Sequence, residues 1–253
     1  MHYSGQAEPQ AAPAFDADTD SSVAPARLRA NRRLLVFAGL GFAVYLFALV
    51  ATIPAGILIP LPDASGTIWR GAAFLAGGNR VEWRWAPLRS LIGLGFAADF
   101  TVTGVDTMLG GRALLRPGGR VMLDSVSGSA DGGLLDALAN PSFACAVRMQ
   151  IDIREMSLGG GDRGADGRIR AQPGVCQAFG GAAPVAVPAL TLDLDRTPGV
   201  TMINLVPRGG ARTPFLVGGL EEGGRLRLIV TAEGAAALPF LSPPGGMKVE
   251  TEL

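Results

Sequence analysis

The chain has 253 residues, 48% of them apolar and only 17% charged, where soluble proteins carry roughly 25% charged residues. Its 22 basic and 22 acidic side chains cancel, which argues against a nucleic-acid partner held by counterion release. The one histidine is His2, so the folded body offers no imidazole for a catalytic triad or a His-ligated metal, and most familiar hydrolase chemistry is excluded. Lys248 is the single lysine among the basic residues, an arginine bias from which no function is drawn.

Residues 1–33 are rich in Ala, Pro, Asp and Ser without apolar periodicity, and are expected to form a disordered cytoplasmic tail. Arg27, Arg29, Arg32 and Arg33 crowd its end. The following run 34–53, LLVFAGLGFAVYLFALVATI, contains no charge. At about 1.5 Å per residue it reaches about 30 Å, the depth of a bilayer's hydrocarbon core. A cleaved signal would have a shorter apolar stretch, and Pro54, Ala55 and Gly56 make a poor cleavage context. A buried core helix would not be apolar all round with arginines on one flank only. The segment is therefore expected to be an uncleaved, single-pass transmembrane anchor. The arginines predict a cytoplasmic N-terminus and residues 54–253 across the inner membrane, in the periplasm of a two-membrane bacterium.

The exported part reads as strands. Val147, Met149, Ile151 and Ile153 alternate with Arg148, Gln150 and Asp152. The same period of two recurs in Val81, Trp83 and Trp85, in Leu190, Leu192 and Leu194, and less perfectly in Leu226, Leu228 and Val230. Turns are expected at Pro117–Gly119, Gly159–Gly161, Asp166–Gly167, Pro198–Gly199 and Glu222–Gly224. A short helix is expected near Leu134–Leu138, ended by Asn140 and Pro141. The fold class is mainly β: one N-terminal transmembrane helix, then an antiparallel β-rich domain with one dry and one wet face. A curved sheet, a sandwich and a partial barrel all fit the pattern.

Cys145 and Cys176 are the only cysteines, and an even pair in an oxidising compartment predicts a disulfide. No CxxC redox motif is present. Ser125, Ser127 and Ser129 alternate without a histidine partner. Asp152, Glu155, Asp162 and Asp166 miss the spacing of a Ca²⁺ loop and are expected to be solvated loop charges. Gly110–Gly111 and Gly159–Gly161 lack the Gly-Lys-Ser/Thr of a phosphate loop and are expected to be turns. No catalytic set, cofactor site or metal site is expected. Trp69, Trp83 and Trp85 fall together just after the anchor; alternation of Trp83 with Trp85 favours a hairpin core over an interfacial belt.

The stretch Ser65-Gly66-Thr67-Ile68-Trp69-Arg70-Gly71-Ala72-Ala73, followed by Val81-Glu82-Trp83-Arg84-Trp85-Ala86-Pro87-Leu88, resembles the opening of the type II secretion system protein N family. The residues that carry the resemblance are Gly66, Thr67, Trp69, Gly71, Trp83 and Pro87. It is specific over about residues 53–105 and architectural beyond, and the long N-terminal tail departs from the family's shorter stubs. The resemblance implies a non-catalytic accessory component of the machine that exports folded proteins, with other inner-membrane and periplasmic secretion subunits as partners and the inner-membrane bilayer as its support. An alternative expectation is an AsmA-like envelope protein that binds or transfers lipid in an apolar β-groove. The two differ in whether the apolar face is filled or forms a continuous dry groove.

Overall fold

The computed structural model describes residues 26–58, 63–75, 78–134, 142–180, 183–209, 213–241, 243 and 245–252. They form two compact units, one ending at Val50 and one running from Ala51 to the C-terminus. In the first, helix α1 (Ala26–Ala51) includes Arg32–Ala51, a segment long and apolar enough to cross a membrane. The helix starts inside the stretch expected to be disordered, because arginine, leucine and alanine are all strong helix formers. It stops short of Ile53, since a residue preceding proline is steered out of the helical region.

The second unit is a single meander. After a short helix α2 (Ala55–Leu58) come β1 (Ser65–Gly66), β2 (Arg70–Phe74), β3 (Arg80–Trp85), helix α3 (Pro87–Gly93), β4 (Phe96–Thr103), β5 (Met108–Arg116) and β6 (Arg120–Asp131). Then follow β7 (Phe143–Ala146), β8 (Arg148–Leu158), β9 (Gly164–Ala171), β10 (Gly174–Ala178), β11 (Val185–Val187) and β12 (Leu190–Thr197). The chain ends with β13 (Val200–Pro207), β14 (Leu216–Glu221), β15 (Arg225–Val230), helix α4 (Ala232–Ala237) and β16 (Met247–Glu252). Thirteen strands form one antiparallel sheet in the order β1-β2-β3-β4-β5-β6-β8-β9-β12-β13-β14-β15-β16. The remaining three, in the order β11-β10-β7, make a separate small sheet. The helix expected near Leu134–Leu138 begins in the described residues, where 132–134 are helical; residues 135–138 and its end at Asn140 and Pro141 lie outside them.

Because register partners point to the same side, the pairing assigns every residue to a face. One face runs Val81–Val102–Leu109, Trp83–Phe100, Val126–Ile153, Ile151–Ile169–Leu192–Leu205–Leu216 and Leu228–Val249 across neighbouring strands. The opposite face carries ion pairs: Arg112–Asp124, Arg154–Asp166, Arg168–Asp193 and Arg227–Glu250. The acids expected in loops belong to this ladder. Asp152 and Glu155 are in β8 and Asp166 is in β9, while Asp162 pairs with Arg120 and Arg196.

Two expected turns are strand interior. Gly167 lies in β9, where a Cβ would strike the Asp152 carbonyl of β8. Gly111, in β5, leaves room on the dry face for the Phe100 ring and Val126, which a Cβ would meet at 2.9 and 2.8 Å. Of the three serines, Ser127 and Ser129 share the wet face, whereas Ser125 sits at φ 53° beside an irregularity in the β5–β6 register.

At one end the dry face is roofed by the chain itself. Val102, Leu109, Ala130 and Met149 share a core with Cys176 and Val187 of the small sheet and with Leu238, just past α4. The disulfide Cys145–Cys176 joins register partners on β7 and β10, and Phe143 packs on Phe240 at 4.8 Å between ring centres. Leu205 packs against the same cluster, whereas Leu216, Leu220, Leu226 and Leu228 are half-buried outside it.

Ile153→Ala should destabilise the full chain by about 2–5 kcal/mol, because Ile153 is 4% exposed and its loss leaves a cavity. Thr101→Ala on the wet face should change stability by less than about 0.5 kcal/mol. Reducing the disulfide, which closes a 31-residue separation, should lower stability by about 3–4 kcal/mol on the chain-entropy model. Denaturant titration in detergent reads all three.

Candidate functional site

The six residues of the Trp-Gly stretch converge at one end of the first strands. Gly66, at φ 85°, ends β1 opposite Gly71 of β2. Between them residues 67–70 turn tightly: the Thr67 and Arg70 amides donate to the Arg70 and Thr67 carbonyls at 2.9 and 3.2 Å. Thr67 also forms an isolated bridge with Pro54, and the Ile68 amide donates to the Ile53 carbonyl at 3.2 Å. The turn holds the entering chain against the sheet.

The indoles lock this corner. Trp83 is 9% exposed, packs with Ala55, Ala73 and Ala98, and donates its Nε1–H to the Ile68 carbonyl at 3.2 Å. Its ring lies over Gly71, where any Cβ would collide with it and with the Ser65 carbonyl. Trp69 meets Trp85 edge-on at 4.6 Å and Phe96 at 5.9 Å between ring centres. Trp85 Nε1–H donates to Ser90 Oγ at 2.8 Å; that hydroxyl also accepts from the Ala97 amide and donates to the Ala86 carbonyl. Pro87 opens α3 at the position where a missing N–H costs nothing. These contacts give each matched residue a packing role, and the tryptophans are corner core rather than a free belt.

The disulfide Cys145–Cys176 belongs to the small sheet. Among the described residues no group of three His, Cys, Asp or Glu side chains could hold a metal. Hollows on the wet face include one of about 350 Å³ beside Arg148, Arg170 and Arg208 and one of about 360 Å³ beside Ile92, Leu114 and Met122. What the arrangement offers is surface: the half-buried leucines of β14 and β15 and the outer edge of β16, which has a strand on one side only.

The β16 edge carries Lys248, Glu250 and Glu252, the charges that discourage indiscriminate pairing. Arg227 donates to Glu250 at 3.2 Å and holds its carboxyl below the ordinary range. Sequence patterns missed two features. The small sheet's strands are too short to show alternation, and α3 was passed over although Pro87 followed by Leu88, Leu91 and Ile92 has helical spacing.

Compared with family models, with curated proteins and with solved structures, the chain matches none.

Gly71→Ala should displace the Trp83 ring and lower the thermal midpoint, with a red-shifted tryptophan emission as its signature. Because Glu250 has a lowered carboxyl value when folded, its contribution holds β16 above the ordinary carboxylate range and fades as pH falls through that lowered value. Amide protection factors in β16 should therefore drop on acidification, and Glu250→Gln should remove that dependence.

Proposed function

We propose that the chain is an accessory component of a type II protein secretion system, fixed in the inner membrane by α1, with its sheet in the periplasm, and acting by contact rather than by catalysis. The observation that carries this is the uneven cover of the dry face. The small sheet and α4 roof one end, while Leu216, Leu220, Leu226 and Leu228 lie half-buried towards a strand edge that no other described strand pairs. An apolar strip next to an unpaired edge is what strand addition by another chain uses: main-chain hydrogen bonds for affinity and side-chain pockets for choice. The Gly66–Gly71 turn under Trp83 supports the same family, since the residues behind the resemblance build one corner together. A membrane tether raises the local concentration of partners in the same bilayer.

The same half-buried leucines favour a second reading, in which acyl chains occupy the strip and the protein handles envelope lipid. A photo-crosslinking residue at Val249 or Leu226, activated in intact cells, separates the two. Covalent attachment to inner-membrane or periplasmic secretion subunits, together with loss of exported enzymes on deletion of the gene, is the expected result. Attachment to phospholipid alone, with export unchanged after deletion, would replace the secretion role by the lipid role.

A further inference from the structure

Helix α3 carries an apolar face that no other described element covers. Leu88, Leu91, Ile92 and Leu94 are 74, 74, 85 and 80% exposed. The helix is held on its other side, by the Ser90 hydroxyl and by Gly93, where a Cβ would meet Leu114 at 2.8 Å. Burying a large apolar side chain is favourable, so Leu88, Leu91 and Ile92 of the helix and Leu94 at its C-cap, all left in water, mark a contact surface.

The unpaired charge beside this helix is positive. Arg70 and Arg84 are register partners on β2 and β3, an unfavourable placement for like charges, and neither has an ion pair among the described residues. Asp99, the register partner of Arg84, is bonded to Arg89 of α3. The neighbouring carboxylates Glu82, Asp99 and Asp124 are each paired with an arginine, which leaves Arg70 and Arg84 to complement an anionic surface.

Chain connectivity supplies the place. Ile53, two residues beyond the end of α1, is already bonded to Ile68 in the corner from which α3 springs. Two residues reach at most about 7 Å.

We propose that α3 is a second membrane attachment: Leu88, Leu91, Ile92 and Leu94 enter the headgroup and acyl boundary of the leaflet from which α1 emerges, and Arg70, Arg84 and Arg89 meet the phosphates of anionic lipids. The proposal rests on α1 spanning a bilayer and is independent of the secretion role.

The test uses the full chain in nanodiscs of phosphatidylethanolamine and phosphatidylglycerol, with single spin labels at Leu91→Cys, Ile92→Cys, Phe42→Cys and Val105→Cys, the native disulfide kept oxidised. Val105 is fully exposed beyond the far end of β4, about 27 Å away for an eight-residue strand. Labels at 91 and 92 are expected to collide several-fold more with oxygen than with a water-soluble nickel chelate, and the label at 105 the reverse. Nanodiscs of phosphatidylcholine alone should make labels 91 and 92 shallower, and so should Arg70→Gln with Arg84→Gln. If labels 91 and 92 behave like 105 while 42 reads as lipid-embedded, the α3 attachment is wrong and the span stands. If 42 is itself water-accessible, both fall. Spin–spin broadening at 91 that disappears on dilution with unlabelled chain would assign the face to a second copy and overturn the lipid contact.

Discussion

Twelve consecutive antiparallel pairings turn a period of two in the sequence into one continuous apolar surface, and the rest of the fold answers the need to keep that surface from water. The dry face collects Trp83, Phe100, Val126, Ile153, Leu194 and their neighbours into connected cores. A sheet of this kind has no second layer of its own. The chain supplies a partial one from two insertions, the small sheet between β6 and β12 and the α4 region between β15 and β16, and both meet the same end of the dry face through Val187, Cys176 and Leu238. The disulfide then acts where it has most effect, on strands of three to five residues that could not hold together alone.

The wet face has a different task. Its ion pairs are exposed, and pairs of that sort contribute only about 0–1 kcal/mol each. Their weight is in register. A slip of one residue would put Asp193, Arg168 and Asp152 on the apolar side and Leu194, Gly167 and Ile153 on the charged side. Matching irregularities at Ser125 in β6 and Arg154 in β8 shift the inward parity of both strands together, so that Leu123 and Met156 follow Val126 and Ile153 on the dry face. Val126 and Ile153 remain opposite one another on the dry face for that reason.

Legibility followed the strength of the periodic signal. The alternation of Val81, Trp83 and Trp85 and of Leu190, Leu192 and Leu194 was enough to identify strands and their dry side, and the charge-free run before Ile53 was enough to identify the long apolar helix. The order of strands was not legible, because alternation says which face a side chain takes and not which neighbour it meets. Glycine misled in two places for a shared physical reason. Gly111 and Gly167 serve close approach inside a strand, where a ring or a carbonyl occupies the space of a Cβ, and a lone sequence does not separate that use from a turn. The tryptophan corner was half legible: the residues stood out by clustering, but the Ser90 hydroxyl that joins Trp85, Ala86 and Ala97 carries no pattern at all.

A single membrane helix fixes where a domain is but leaves it free to pivot, and a binding surface that pivots loses orientational advantage. Within the second unit, the corner built by Trp69, Trp83 and Trp85 holds its first residues, with Ile53 and Pro54 bonded to residues 68 and 67. Rigidity at that corner is useful only if something outside the chain bears on it. The apolar helix α3 beside the same corner, entering the bilayer as proposed, would turn one point of attachment into two. Two points remove most of the pivoting freedom, so the free edge of β16 and the half-covered leucines would be presented to neighbours in one orientation, and less entropy would be lost when a partner binds.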